Sequence, residues 1–307
     1  MNGADPMATA NPDPLDASNW SIVTPTYGAD FAQFELLNES VLRHAPGAIE
    51  HVVVTDRQDL ALFEPLRHDR MRLHTKEDVL PGRVRRVERS SKQVWVSTHF
   101  PPVRGWIAQQ MVKIEAATTL ARPYVLFVDS DVVFLRDWDI SRFCSEDRVG
   151  LLQVADRRWA RPEWRAAALK LFRRELTADP APTNYVSNIV PWRRDIARDM
   201  VQRMETGRSG RWTTRVALTP RFSEYTCYGV YCTEIVGLHT AGHATWADPL
   251  LNDIWEPDLT VDRLRETIAS TRPEQIAAMV HSKSSFDRDA LSDAVREFWA
   301  STDGPTS

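Results

Sequence analysis

Near its N-terminus the chain has two short runs that are apolar throughout, separated by a segment with helical periodicity. The runs are residues 20–25 (WSIVTP) and 49–56 (IEHVVVTD), and residues 31–45 between them repeat apolar side chains at helical spacing. Strands that lack apolar–polar alternation are typical of parallel sheets, which helices cover on both faces. The pattern therefore predicts an α/β fold with a mainly parallel sheet flanked by helices.

The rest of the chain continues the alternation of strands and helices. Residues 103–121 predict a helix, residues 124–128 a buried strand, and residues 276–285 a late apolar strand. A helix opened by Ser223 is also expected. Without a repeat or a low-complexity linker, we expect one continuous domain with an elaborated C-terminal half, after a disordered lead-in at residues 1–18.

Composition excludes several classes of function. The 307 residues are 43% hydrophobic with a formal charge of −4, which is ordinary for a soluble globular protein and gives no reason to expect a nucleic-acid partner. Three scattered cysteines suit a reducing compartment. There is no signal-peptide pattern and no apolar run long enough to span a bilayer. We therefore expect a cytoplasmic protein without an integral membrane segment.

The apolar run at residues 124–128 ends at two carboxylates, Asp129 and Asp131. Residues two apart on an extended chain point the same way, and ligands of open α/β sheets bind outside the carboxyl ends of strands. Divalent cations prefer carboxylate ligands and often bridge to phosphate oxygens. The pair therefore predicts a metal site, with a solvated turn as the alternative. The apolar residues that follow at 132–135 weigh against the turn.

The same string also fits a phosphatase of the haloacid dehalogenase type. In that interpretation Asp129 is a covalent nucleophile and Asp131 an acid/base. That motif normally lies on the first strand of its domain, whereas about a hundred ordered residues precede Asp129 here. The later strand with a second acidic pair is also missing, so this interpretation ranks second.

The ordered set IVTPTYGADF, VVVTD, QMVKI, FVDSDVVFL and HSKS resembles glycosyltransferases of the GT-A fold, closest to a poorly characterised actinobacterial group. The resemblance covers about residues 20–286. It implies a Rossmann-like mixed, mainly parallel sheet, with residues 19–140 as the nucleotide-sugar-binding half that ends in the DxD motif. Residues 141–303 would then be the acceptor-binding half with a C-terminal metal-ligand histidine. The implied donor is a nucleotide-diphosphate sugar, and the acceptor is an unknown glycan or small molecule.

The resemblance also implies roles for residues on the donor side. Thr24 and Tyr27 would line the nucleoside pocket, Asp56 would bind the base or ribose, and Lys113 would reach a phosphate or sugar. Helix N-capping by Asp56 and an ordinary exposed helical position for Lys113 are the alternatives. We also include Ser130, between the two carboxylates, among the donor-binding residues.

The metal shell would consist of Asp129, Asp131 and His281, with Mn²⁺ or Mg²⁺ as the ion. Lys283, two residues beyond His281, would neutralise the diphosphate. A structural role at a strand end is the alternative for His281. A protein that binds a nucleotide sugar without turnover is a further alternative for the whole site.

On the acceptor side, Glu224 is the expected catalytic base of an inverting reaction. The alternative is a first-turn helix glutamate that favours the helix dipole. Asn188, Trp192 and Tyr225 are expected to bind the acceptor. The sequence leaves open whether the reaction inverts or retains configuration.

Overall fold

The structure is a computed structural model, and it describes residues 12–87, 93–155, 160–176, 182–206, 210–248, 250–281 and 284–302. The strands are β1 (Trp20–Pro25), β2 (Glu50–Thr55), β3 (Met71–Thr75), β4 (Arg85–Val87), β5 (Val94–Val96), β6 (Val103–Arg104), β7 (Tyr124–Val128), β8 (Val132–Phe134), β9 (Cys144–Ser145), β10 (Arg148–Leu152), β11 (Ile189–Arg193), β12 (His243–Trp246), β13 (Leu251–Ile254) and β14 (Ala277–Val280). The helices are α1 (Phe31–His44), α2 (Leu60–Phe63), α3 (Lys76–Val79), α4 (Gly105–Thr119), α5 (Pro162–Leu171), α6 (Arg194–Glu205), α7 (Trp212–Ala217), α8 (Glu224–Val230), α9 (Val261–Ala269) and α10 (Arg288–Thr302).

A five-stranded sheet in the order β11-β7-β1-β2-β3 forms the centre of the fold. All pairs are parallel except β11–β7, which is antiparallel. Adjacent residues of β1 pack into different hydrophobic cores. Ile22 packs with Phe34 of α1, and Val23 packs with Met111 of α4. Helices therefore cover both faces of the sheet. This confirms the predicted α/β class and explains why its strands are apolar throughout.

A second sheet, in the order β13-β14-β8, is joined to the central sheet by the turn at Asp129–Asp131. The turn is held by Val132 N–H, which donates to Asp129 O at 3.1 Å. Strand β14 runs antiparallel to β8 with Met279 opposite Val132. Continuing that register brings His281, just beyond β14, to the level of the acidic turn. Two smaller sheets have the orders β12-β10-β9 and β4-β5-β6.

Part of the predicted disordered lead-in is ordered in the structure. The indole N–H of Trp20 donates to Pro14 O at 2.8 Å, and Asn19 Nδ2 donates to Asp13 O at 3.0 Å. Residues 12–18 thus pack against the start of β1, because a buried indole N–H needs an acceptor. The expectation of disorder up to residue 18 is wrong for these residues, and residues 1–11 lie outside the described chain.

Within the described ranges, no helix combines the length and apolar character needed to cross a membrane.

Candidate active site

A cleft of about 710 Å³ opens at the acidic turn. Asp129 lies at the carboxyl end of β7, where its N–H extends the pairing with β11 by donating to Asn188 O at 3.0 Å. The cleft is lined by Trp106, Gln109, Gln110, Lys113, Asp129, Asp131, Leu152, Val154, Trp164, Asn184, Val186, Ser187, Asn188, Glu224, Ala247, Leu251, Asp253, Trp255 and His281. Several side chains predicted from sequence therefore meet in one place, at the sheet edge where α/β proteins bind ligands.

Lys113 forms the electrostatic centre of the cleft. Its Nζ lies 2.8 Å from Asp129 Oδ1 and 3.3 Å from Glu224 Oε1, and it donates to the Tyr225 hydroxyl at 2.9 Å. The lysine side chain is only 5% exposed, so the alternative of an ordinary exposed helical lysine is wrong. Burial alone would lower the pKa of Lys113, but Asp129, Tyr225 and Glu224 outweigh it and raise the pKa well above its usual value.

Glu224 lies in the first turn of a helix, as its alternative interpretation predicts, and its side chain also lines the cleft. It is the first residue of α8, whose N-cap Ser223 accepts from Thr226 N–H, and its own N–H donates to Gln110 Oε1 at 3.0 Å. Its carboxylate is nevertheless buried at the cleft wall. Burial raises the pKa of Glu224 despite the nearby lysine, which moves the carboxylate toward the range useful for a general base.

Asp131 is the carboxylate with the least support from the protein. Burial, together with the negative charge of Asp129, raises the pKa of Asp131 to about 7. Its Oδ1 atom is buried and has no hydrogen-bond partner among the described residues. A buried carboxylate oxygen without a partner is costly, and a bound cation would remove that cost.

Asp129 and Asp131 fit a hard divalent cation that takes its remaining ligands from a diphosphate and water, which is how Mg²⁺ is commonly held. His281 lines the same cleft, but its ring stacks on Trp255 with centroids 3.6 Å apart. In the part of the chain that the structure describes, no three or more His, Cys, Asp or Glu side chains form a group that could hold a metal ion. The described residues thus bring two carboxylates to the cleft lining, and His281 is not grouped with them.

Of the expected donor-side residues, Thr24, Tyr27 and Asp56 are not among those that line the cleft. Asp56 is wholly buried and pairs with Lys76 at 2.7 Å and Arg86 at 2.9 Å. It occupies the N-cap position of the 3-10 helix Arg57–Asp59, as the alternative predicts, but its side chain makes no capping hydrogen bond. Lys76 Nζ also lies 5.8 Å from the centre of the partly exposed Tyr27 ring. Thr24 is wholly buried with its hydroxyl 3.1 Å from His51 Nε2, and a nucleotide cannot reach it without opening the sheet.

Ser130 points away from the two carboxylates that flank it. Its hydroxyl donates to Asp30 Oδ2 at 3.2 Å. Burial, followed by the negative charge of Asp30, raises the pKa of Tyr27. Ser130 therefore lies between the cleft and the cluster around Tyr27. Lys283 lies outside the described residues.

Of the expected acceptor residues, only Asn188 lines the cleft, and its Nδ2 donates to Asp129 Oδ2 at 3.3 Å. Trp192 is 0% exposed and stacks on Tyr228 with centroids 4.0 Å apart, so its ring cannot face a sugar. Tyr225 is also buried, and it supports Lys113 from within the core. Both expectations are corrected, because these rings fill the core behind the cleft.

Sequence reasoning missed the residues that line the outer part of the cleft, chiefly Trp106, Trp164 and Trp255. A signal was present for Trp106. It shares a helical stripe with Gln110 and Lys113, separate from the core stripe of α4.

Comparisons with known proteins give the following likenesses. The galactosyltransferase LgtC, in complex with donor and acceptor sugar analogues, is 15% identical, with 94% of this chain and 96% of that chain covered and a TM-score of 0.44. An active-site mutant of LgtC gives 13% identity, 90% and 95% coverage and a TM-score of 0.45. Mouse xyloside xylosyltransferase 1 in its apo form gives 9% identity, 87% and 99% coverage and a TM-score of 0.42.

These sequence identities and TM-scores are too low to assign an activity, which has to be argued from the site itself. A search of curated proteins finds no match. Residues 20–258, more than three quarters of the chain, match a family model described as "Family of unknown function (DUF6492)", and the chain therefore belongs to that family.

Proposed function

We propose that this chain is a metal-dependent glycosyltransferase that moves a sugar from a nucleotide-diphosphate sugar to an acceptor hydroxyl. The observation that carries the proposal is the pair Asp129 and Asp131 at the mouth of a large cleft, with Asp131 Oδ1 buried and without a partner among the described residues. The mainly parallel sheet and the position of the pair at the carboxyl end of β7 agree with the GT-A resemblance.

In this proposal Asp129 and Asp131 hold Mn²⁺ or Mg²⁺, with His281 as the candidate for a further ligand. When bound, the ion neutralises the negative charge that grows on the leaving diphosphate. Lys113 fixes the orientation of Asp129 through the 2.8 Å contact. Within the cluster beside the cleft, Tyr27 offers a partly exposed ring to the donor base, and Asp56 orients Lys76 and Arg86.

Glu224 is the proposed base of an inverting reaction. The acceptor oxygen would attack the anomeric carbon while the bond from that carbon to the diphosphate breaks. The electron pair leaves with the diphosphate, and the hydroxyl proton passes to Glu224. The raised pKa of Glu224 favours that transfer, and Lys113 at 3.3 Å keeps the carboxylate in the cleft.

Titration calorimetry with UDP, GDP and TDP, each with Mn²⁺ or with a chelator, tests the proposal. At least one nucleotide should bind with Mn²⁺ and bind much more weakly with chelator. Asp129→Asn should lose the metal dependence, whereas Asp69→Asn at an exposed position should keep it. Metal-independent binding, or no binding of any of the three, would contradict the proposal.

Turnover assays separate the remaining alternatives. Hydrolysis of p-nitrophenyl phosphate with Mg²⁺, abolished in Asp129→Asn, would favour the phosphatase instead. Nucleotide-sugar binding without release of nucleoside diphosphate, with or without acceptors, would indicate a non-catalytic binding protein. Transfer that survives Glu224→Gln would show that another group is the base.

A further inference from the structure

The outer part of the cleft carries three tryptophans that the proposed chemistry does not use. Trp106 is 52% exposed and Trp255 is 45% exposed, while Trp164 is partly buried. Large aromatic side chains normally bury most of their surface. Indoles left open on a concave wall that also carries polar groups are typical of a ligand site.

Helix α4 connects this aromatic region to the reacting groups. Trp106, Gln109, Gln110 and Lys113 are spaced i, i+3, i+4 and i+7, so they lie along one face of the helix, and all four line the cleft. The helical rise separates Trp106 from Lys113 by about 10 Å. A ligand on the indole of Trp106 therefore has to be more than one sugar ring long to present a hydroxyl near Glu224.

Two helices combine to build the aromatic surface. The rings of Trp106 from α4 and Trp164 from α5 have centroids 6.5 Å apart and planes 37° apart. Trp255, which follows β13, is held by a hydrogen bond to the Asp253 carboxyl and by the stacked ring of His281. The indoles thus have fixed positions before any ligand arrives, which lowers the cost of binding.

The polar lining of the cleft distinguishes between classes of ligand. Side-chain amides and a hydroxyl from Gln109, Asn184, Ser187 and Asn188 line it beside the aromatic rings. Amides and hydroxyls both donate and accept hydrogen bonds, as sugar hydroxyls require, and the apolar face of a sugar ring packs on an indole.

The charges of the cleft disfavour an anionic ligand that arrives without a cation. The described lining holds four carboxylates, Asp129, Asp131, Asp253 and Glu224, and Lys113 as its one lysine or arginine. That lysine is already engaged with Asp129 and Glu224. Carboxylates repel phosphates and uronates, so this lining favours an uncharged ligand in the outer cleft.

We propose that the outer cleft is the acceptor site, that Trp106 and Trp164 form its sugar platform, and that the acceptor is an uncharged oligosaccharide of at least two rings. The assignment of this ligand as acceptor rests on the proposed glycosyltransferase function. The platform itself rests on the exposed indoles and the lining.

Saturation-transfer NMR with lactose, maltose and cellobiose, and with glucose and galactose for comparison, tests the platform in the full chain. At least one disaccharide should bind, and about tenfold more tightly than its component monosaccharides. Trp106→Ala and Trp164→Ala should each weaken that binding about tenfold, and Trp106→Phe should restore most of it. Leu218→Ala, at an exposed position outside the cleft lining, is the matched control.

Two results would overturn the inference: no disaccharide of the panel binds, or binding survives both alanine variants unchanged. Thermal unfolding of each variant checks that a loss of binding is not a loss of the fold. The nucleotide titrations keep the two proposals apart. Nucleotide binding without disaccharide binding removes the platform alone, whereas disaccharide binding without nucleotide binding removes the glycosyltransferase and leaves the platform.

Discussion

Replacing Lys113 with methionine should destabilise the protein, because the lysine is the shared counter-ion of the buried Glu224 carboxylate and the partly buried Asp129 carboxylate. Asp129 Oδ1 and Glu224 Oε1 lie 2.8 and 3.3 Å from its Nζ, and the Glu224 side chain is 7% exposed. Removing one member of a buried ion pair costs about 3–5 kcal/mol. Asp129 keeps some contact with solvent, so we expect a loss of about 3 kcal/mol, near the lower end of that range.

A loss of this size should lower the melting temperature by roughly 5 °C in a chain of 307 residues. The loss should also depend on pH. Burial already raises the pKa of Glu224 against the effect of Lys113, so the pKa of Glu224 rises further without the lysine. The folded form of the variant therefore prefers a protonated Glu224, and stability is lost as pH rises from about 4 through the raised folded-state value. The difference between variant and parent should accordingly be larger at pH 8 than at pH 5.

Differential scanning calorimetry with chelator at both pH values measures the effect. Lys170→Met is the matched control, since this lysine is exposed in the last turn of α5 and its replacement should change the stability by less than about 0.5 kcal/mol. A melting temperature of Lys113→Met at pH 8 that falls no further than that of the control would refute the counter-ion role.

Two further changes test the acidic turn and the packing behind the cleft. Asp131→Asn should raise the melting temperature in chelator above pH 7. The gain should shrink as pH falls through about 7, the raised folded-state pKa of Asp131, and should vanish below its ordinary value of 3.8, where the acid is protonated in both folded and unfolded states. Asp69→Asn, at an exposed position, is the control. Gly229→Ala should destabilise the protein by about 1–3 kcal/mol even though alanine favours helices, because the added Cβ would lie 2.2 Å from the Tyr185 ring. Gly47→Ala is the control, since its added Cβ would meet nothing within 4 Å and should leave thermal unfolding unchanged.

The central sheet could be predicted from sequence because both faces of its strands are buried. Runs such as residues 20–25 then carry no alternation, and only a covered, mainly parallel sheet explains them. The antiparallel pairing of β11 was harder to predict than the strand itself. It pairs with β7 across about sixty residues of chain, and such distant pairing leaves no local pattern. The short strands β4 to β6 likewise have too few residues for periodicity to show.

The positions of site residues could be predicted where they follow directly from the geometry of the sheet. Asp129 and Asp131 follow a buried strand, so their place at the ligand-binding edge follows from the fold class. The prediction that Trp192 binds the acceptor was wrong, although the sequence held a signal against it. Residues 189–192 are apolar throughout like the other central strands, which indicates that both faces of this strand are buried. The environment of Lys113 was not predictable, because it depends on α8, which begins more than a hundred residues later.

The charges of the cleft bear on both proposed substrates, the nucleotide-sugar donor and the acceptor. Lys113 offsets part of the negative charge of Asp129 and Glu224, but Asp131 is left with a partnerless buried oxygen and a pKa near neutrality. In the proposed function, a diphosphate arriving alone would meet net repulsion from these carboxylates, so donor binding would depend on a cation. That cation would lie on the side of the acidic turn, away from the proposed acceptor platform. The two proposals are thus linked, since the same charges would require a metal for an anionic donor and would favour an uncharged acceptor on the tryptophans of the outer cleft.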